Sequence, residues 1–360
     1  MAEQLRRAAL LLALWPAMAL AQPNPQPNPL PGVRVLATGG TIAGAGRADS
    51  VGYRAGQVSA ADLIAAVPGV ERIASISSEQ IANIGSADMD EAIWRTLHAR
   101  ILAAAADPAL AGVVITHGTD TMEETAFFLS LLAPVAKPVV LVGSMRPSTA
   151  VSADGPHNLM DAIRVAAAPA AAGRGVMLVM NDQIFDPRFV TKLDMRQLNA
   201  FGAPATGPIG HVQQLQPQFF AAASAGPAPF SLGPAPLPRV VIAYAHAGMT
   251  GDDLDRIAAG ARGVVIAGPG AGSMPSSVRR AARALAAAGV AVVRTARQGS
   301  GDIWRSDSAA GDASDDANGT IAGRMLTPAK ARILLMLALQ QPRSPAALQA
   351  LFDRLGTPGG

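Results

Sequence analysis

Val33-Arg34-Val35-Leu36-Ala37-Thr38-Gly39-Gly40-Thr41-Ile42-Ala43-Gly44 joins a short apolar run to a polar turn built on two glycines. The run Val33 to Ala37 has the length and composition of a buried strand, and Gly39 and Gly40 permit a sharp turn in conformations that a residue with a Cβ avoids. Such a strand delivers the chain to one end of a sheet, where the Thr41 hydroxyl could attack a substrate. Taken alone, the octapeptide from Ala37 to Gly44 reads equally as a tight strand-to-loop turn. The rest of the chain decides between the two.

Beyond this stretch, short apolar strands alternate with amphipathic helices. Strands are expected at Arg72 to Ile76, Gly112 to Ile115, Pro138 to Val142 and Val176 to Val179. Between them a helix from about Met89 places Ile93, Trp94, Leu97 and Ile101 on one face, a second runs through Leu132, and a third covers His157 to Ala167. Asp88 with Glu91 reads as an N-cap, and Thr121 with Glu124 as a capping box. This alternation predicts an α/β fold in which an open, mainly parallel sheet is covered by helices on both faces. From Gln216 to Pro238 the composition turns to Pro, Ala, Gly and Ser, which marks a linker. The pattern then resumes with strands near Val240 to Tyr244, Gly263 to Ala267 and Val290 to Val293, and with helices near Asp252 to Ala259, Ser276 to Ala288 and Pro328 to Leu339. The expected organisation is a larger N-terminal catalytic domain over 32–215, a linker over 216–238 and a smaller C-terminal domain over 239–360. The Gly-, Ser- and Asp-rich stretch Gln298 to Gly319 reads as a long mobile loop and a candidate lid.

The composition narrows the function. With 360 residues, 50% apolar and 15% charged, the chain is long enough for two packed cores and is not a disordered polymer. The sequence pI of 9.8 arises from 26 Arg and 3 Lys against 26 acids, with no basic run, so no nucleic-acid partner is expected. Arg6 and Arg7, the apolar run Ala8 to Leu20 and Ala19-Leu20-Ala21 have the order of a cleavable export signal, with Gln22 as the mature start. A Pro-rich tether over 22–31 follows, and no membrane-spanning segment is expected after it. An export signal on a chain without cysteine implies a periplasmic protein held together by packing or oligomerisation alone.

In open parallel sheets ligands bind beyond the carboxyl ends of the strands, so polar residues directly after strands carry weight. Thr41 follows the first strand, Thr116-His117-Gly118-Thr119-Asp120-Thr121 another, and Gly143-Ser144-Met145-Arg146-Pro147-Ser148-Thr149 a third. Lys192 is one of three lysines, and a lysine brought among these threonines could accept a proton from a hydroxyl that is too weak an acid to react unaided. Two threonines, a lysine and an aspartate suffice for acyl transfer. Other chemistries lack their signatures. There is no Gly-rich nucleotide fingerprint after Leu36, no phosphate loop and no Gly-x-Ser-x-Gly elbow. The five histidines, His98, His117, His157, His211 and His246, show no metal-ligand spacing, so a zinc site is not expected.

Ala-Thr-Gly-Gly-Thr-Ile-Ala-Gly at 37–44, Ile-Thr-His-Gly-Thr-Asp-Thr-Met-Glu-Glu at 115–124 and Met-Arg-Pro-Ser-Thr at 145–149 together resemble the bacterial type II L-asparaginase and glutaminase-asparaginase family. Ser-Ala-Asp-Gly-Pro at 152–156 and Val-Thr-Lys at 190–192 belong to the same pattern. The resemblance runs from about Val33 to the last helix. It implies hydrolysis of the side-chain amide of asparagine, and often glutamine, without a cofactor, by a homotetramer whose active sites are completed by a neighbouring subunit. Carried over residue by residue, Thr41 is the nucleophile, Tyr53 hydrogen-bonds its hydroxyl, and Thr119 with Lys192 forms the proton relay. Asp120 takes the substrate α-ammonium, Ser86 its α-carboxylate, and backbone N–H groups near Ser144 the oxyanion. Three features depart from the pattern. Ala87 stands where relatives carry Gln or Glu, His246 stands where they carry a partner-subunit Asn, and no Glu follows Glu124 to match the partner-subunit Glu expected within Gln298 to Gly319.

Two other classes fit parts of the sequence. An exported amino-acid-binding protein without turnover shares the signal and the two α/β domains, but it has no use for a Thr-Lys pair. A subunit of a tRNA-dependent amidotransferase works in the cytoplasm, which the signal opposes.

Overall fold

The computed structural model of the protein describes residues 29–46, 52–133, 136–220 and 228–358. The expected export signal and most of the tether lie outside the described residues. β1 (Gly32–Gly39) leads into a 3-10 turn at Thr41–Ala43, and the short strands β2 (Ala45–Gly46) and β3 (Tyr53–Arg54) pair with each other. Then come α1 (Ala60–Ala65), β4 (Ser75–Ile84), α2 (Glu91–Ala106), β5 (Leu110–Thr116), α3 (Met122–Leu132), β6 (Val139–Val142), α4 (Gly155–Ala167) and β7 (Val176–Met180). β8 (Gln183–Phe185) follows, then the paired strands β9 (Thr191–Lys192) and β10 (Phe201–Gly202), then β11 (Gly210–Gln213) and β12 (Gln216–Phe219).

The large sheet has the order β12-β11-β8-β7-β6-β5-β1-β4. Strands β4, β1, β5, β6 and β7 are parallel, and β8, β11 and β12 extend the sheet with antiparallel pairings. The parallel strands read 2-1-3-4-5 in chain order, so the direction of winding reverses between β1 and β5. A crevice opens at the carboxyl ends of the strands at such a switch point. Both faces of the sheet are covered, which is why β5 and β6 are apolar without alternation. One face packs α1 and α4 through Val33, Val114, Val140 and Ile163, and the other packs α2 and α3 through Leu97, Phe127 and Phe128.

The smaller sheet has the order β13-β14-β15-β16 and is parallel throughout, with β13 (Val240–Tyr244), β14 (Gly263–Gly268), β15 (Ala291–Ala296) and β16 (Thr320–Ala322). Its helices are α5 (Gly251–Ala258), α6 (Ser276–Ala287), α7 (Asp315–Asn318), α8 (Pro328–Ala338) and α9 (Pro345–Leu355). α5 and α6 share a core with one face. On the other face, Leu334 and Leu335 of α8 join Phe127 and Phe128 of α3 in one continuous apolar cluster that spans both sheets.

The two-sheet α/β architecture is the expected one, but several local features differ. Asp90, not Asp88, caps α2, its carboxylate accepting from the Ile93 N–H at 2.9 Å. Thr121 makes no side-chain cap on α3 and directs its hydroxyl elsewhere. The expected linker begins inside the sheet, because Gln216 to Gln213 closes a tight hairpin and Gln216–Phe219 pairs along β11. The stretch expected as a mobile loop folds around Asp315, which is 1% exposed. Both Asp315 oxygens accept from Arg294, at 2.9 and 2.7 Å, and Ser306 and Thr320 complete the set. The polar composition of that stretch serves a buried ion pair and the caps of short helices.

Candidate active site

β5 lies between β1 and β6, so the loops that leave these three strands emerge side by side at the switch point. The first two touch through backbone. Gly40, at φ 78°, lies so close to the next loop that a Cβ would sit 2.3 Å from the Gly118 Cα. A Cβ on Gly118 would in turn meet the Ser86 hydroxyl at 2.8 Å. Glycine at both positions is therefore what lets the Thr41, Thr119 and Ser86 segments converge. Thr41, Thr119 and Ser86 are all buried, at 9%, 5% and 6% exposure, and Ser144 is fully enclosed.

Lys192 reaches this group from β9. Its Nζ donates to Thr119 Oγ1 at 2.9 Å and to Asp120 Oδ1 at 2.6 Å. The lysine side chain is mostly covered, whereas Asp120 remains largely open to solvent. The expected relay pair is thus in direct contact, and the aspartate expected to hold an ammonium from the substrate already holds one from the protein.

The Ser86 loop is tied to the same place. Asp120 N–H donates to Ser86 Oγ at 3.2 Å, so the serine's own proton is not spent on that bond. Thr121 Oγ1 donates to the Ser86 carbonyl at 2.7 Å, which is why it does not cap α3. Ala87 beside it is exposed. On the other side, the Asp154 carboxylate accepts from the Met145 and Arg146 N–H groups, each at 2.9 Å, and Ser144 Oγ donates to the Arg146 carbonyl at 2.7 Å. The Met145 and Arg146 amides are therefore occupied, which takes them out of the expected set of oxyanion donors near Ser144. Tyr53 has its backbone paired with Gly46, and its side chain lies outside what is described.

Three supporting groups carry no signal in the sequence. His117 is fully buried inside a chain of hydrogen bonds that fixes its tautomer. Its Nδ1–H donates to the Gly118 carbonyl at 2.7 Å, Nε2 accepts from Thr125 Oγ1 at 2.9 Å, and Thr125 accepts from the Trp94 indole N–H at 2.8 Å. Burial pushes the His117 imidazole down to about 4, which keeps it neutral. Asp154, although inside a quoted motif, shows its role only once the loop after β6 is folded against α4. Lys330 of α8 is wholly buried, donates to the Val190 carbonyl and stands 3.4 Å from Glu123 Oε2, while Glu123 Oε1 accepts from Thr191 Oγ1 at 3.1 Å. These contacts bracket Lys192 from the neighbouring helix pair.

Two family models match the chain. "Asparaginase, N-terminal" matches residues 32–224 and "Glutaminase/Asparaginase C-terminal domain" matches residues 239–352. The chain belongs to the asparaginase family. L-asparaginase 2 of Bacillus subtilis is 41% identical over 330 residues, covering 90% of this chain and 86% of that protein. A Haemophilus influenzae protein named "Probable L-asparaginase periplasmic" is 40% identical over 330 residues, covering 90% of this chain and 93% of its own. A solved structure described as a "Probable Cytoplasmic L-asparaginase" from Campylobacter jejuni superposes with a TM-score of 0.84 at 40% identity, covering 90% of this chain and 99% of that one. In this asparaginase family member, His246 follows β13 in the smaller sheet and is exposed, its Nδ1–H donating to the Ala247 carbonyl at 2.9 Å.

Proposed function

We propose that this asparaginase hydrolyses the side-chain amide of L-asparagine, and of L-glutamine as a second substrate, to the acid and ammonia through an acyl-enzyme on Thr41. The observation that carries this reading is the 2.9 Å contact between Lys192 Nζ and Thr119 Oγ1 beside the Thr41 turn. The substrate α-ammonium binds Asp120 and competes with Lys192 for that carboxylate, which leaves Nζ to Thr119. The α-carboxylate accepts the proton that Ser86 does not spend on Asp120. Thr41 Oγ1 attacks the amide carbon, and the Ser144 amide receives the charge that develops on the oxygen. The C–N bond then breaks, and ammonia leaves with the proton from the threonine. In the second half, Thr119 and Lys192 draw a proton from water, which attacks the ester carbon and frees the Thr41 hydroxyl.

The enzyme acts in the periplasm after loss of residues 1–21 and works as a homotetramer. An amino-acid-binding protein would not bring a lysine onto a threonine hydroxyl at the switch point. The test is ammonia release from asparagine, glutamine and D-asparagine by purified protein. Steady release from the L-amides, abolished in Thr41→Ala, supports the reading. Stoichiometric binding without ammonia, or a Thr41→Ala variant at near-normal rate, sinks it.

A further inference from the structure

His157 and Asp161 stand one turn apart on α4, and Asp182 faces them from the turn between β7 and β8. One ligand atom from each of the three falls within 4.8 Å of the other two. His157 Nε2 lies 2.7 Å from Asp182 Oδ1 and 3.4 Å from Asp161 Oδ2. The short contact directs the Nε2–H toward Asp182 Oδ1. Asp161 Oδ2 is then left buried without a hydrogen-bond partner, in a side chain only 1% exposed. The other oxygen, Oδ1, is held at 3.3 Å by Arg164. An orphaned carboxylate oxygen at such depth is costly unless a cation meets it. Burial accordingly pushes the Asp161 carboxyl up to about 6 despite the nearby His157 and Arg164.

We propose that His157 Nε2, Asp161 Oδ2 and Asp182 Oδ1 bind one divalent transition-metal ion of the zinc class, at a site separate from the Thr41 crevice. One imidazole and two carboxylates suit a borderline metal, and two carboxylates match its charge. Ligand atoms about 2.1 Å from a tetrahedral ion lie about 3.4 Å apart, the spacing that His157 and Asp161 already have. Asp182 must withdraw from His157 by about 0.7 Å as the metal replaces the Nε2 proton, and its side chain is half exposed in a turn. A water fills the fourth position. The linear spacing of the histidines offered no metal site because two of the three ligands are carboxylates and the third element arrives only through the sheet.

The site also touches the supports of the catalytic loop. Asn158, next to His157, donates to the Gly143 carbonyl and to Asp154, each at 3.0 Å, and accepts from the Asn181 N–H beside Asp182 at 3.1 Å. A bound metal would pin the β7–β8 turn to the first turn of α4, which holds the Ser144 loop.

The test is calorimetric titration of chelator-treated full-length protein with Zn2+, paired with thermal melting. One saturable equivalent and a higher melting temperature are expected. His157→Phe and the exposed-site variant Asp182→Asn should each weaken binding by about 100-fold or more, the upper range even for loss of an outer-shell partner. His211→Ala, elsewhere on the sheet, should leave binding unchanged. Absence of saturable binding, or binding that survives both ligand variants, overturns the site. Neither outcome depends on the hydrolytic reading, because the measurement is metal bound and not ammonia released.

Discussion

At the level of single residues, the proposed relay depends on the 2.9 Å contact between Lys192 Nζ and Thr119 Oγ1. Lys192 could be nominated but not located, since 73 positions separate it from Thr119 and only the fold closes that gap. Lys192→Met should abolish most turnover while leaving circular dichroism unchanged, because Met matches the volume without the nitrogen, and lost base assistance costs about 100- to 10,000-fold. His117 was legible as a histidine but not as a neutral, tautomer-fixed brace. Its folded value of about 4 lies below the ordinary 6.5, so the stability it contributes is complete above about pH 6.5 and is lost as the pH falls toward 4. At pH 5 the loss is roughly 2 kcal/mol. Urea unfolding of wild type between pH 7.5 and 5 should therefore fall more steeply than that of His117→Gln, and parallel slopes would reject the account. Ala87 offers a methyl where the family resemblance expects an amide or carboxylate for the α-ammonium. Ala87→Gln should lower KM for asparagine and glutamine alike with a smaller change in kcat, since both substrates carry the same α-group. A change confined to one substrate would mean that the ammonium is held by another group.

At the level of elements, strand and helix order followed from periodicity, whereas caps and irregular segments did not. Thr121 and Asp315 show why. A Thr or Asp near a helix start is equally able to cap it or to tie a distant segment, and the choice depends on which backbone groups the fold brings near. The tie between α8, α3 and β9 is of the same kind. Lys330 is buried, and burial lowers its hold on the proton while Glu123 strengthens it. Lys330→Met would strand Glu123 and the Val190 carbonyl in the core, and breaking a buried pair from one side costs about 3 to 5 kcal/mol. The variant should melt well below wild type. Lys330→Met combined with Glu123→Gln should recover part of that loss, because the uncompensated charge is gone. If the double variant is no more stable than the single one, the pair is not what holds β9 in place.

At the level of the whole molecule, the outer side of β13 in the smaller sheet has no partner strand among the described residues. β13 is the terminal strand of that sheet, and along it Ile242 and Tyr244 are 36% and 60% exposed. An edge strand that shows apolar side chains to water is a template for association unless something covers it. His246, one turn beyond, stands where the family resemblance expects a residue lent to a neighbouring active site, so the covering group is expected to be a second copy of this chain. Ile242→Lys with Tyr244→Lys places two like charges on that edge and should shift light scattering from a four-chain mass to smaller species at micromolar concentration. If the sites are shared, specific activity should fall with the assembly and should rise again on concentration. A wild-type protein that scatters as a stable monomer with full activity would show that each crevice is complete within its own chain, and that the exposed edge serves some other contact.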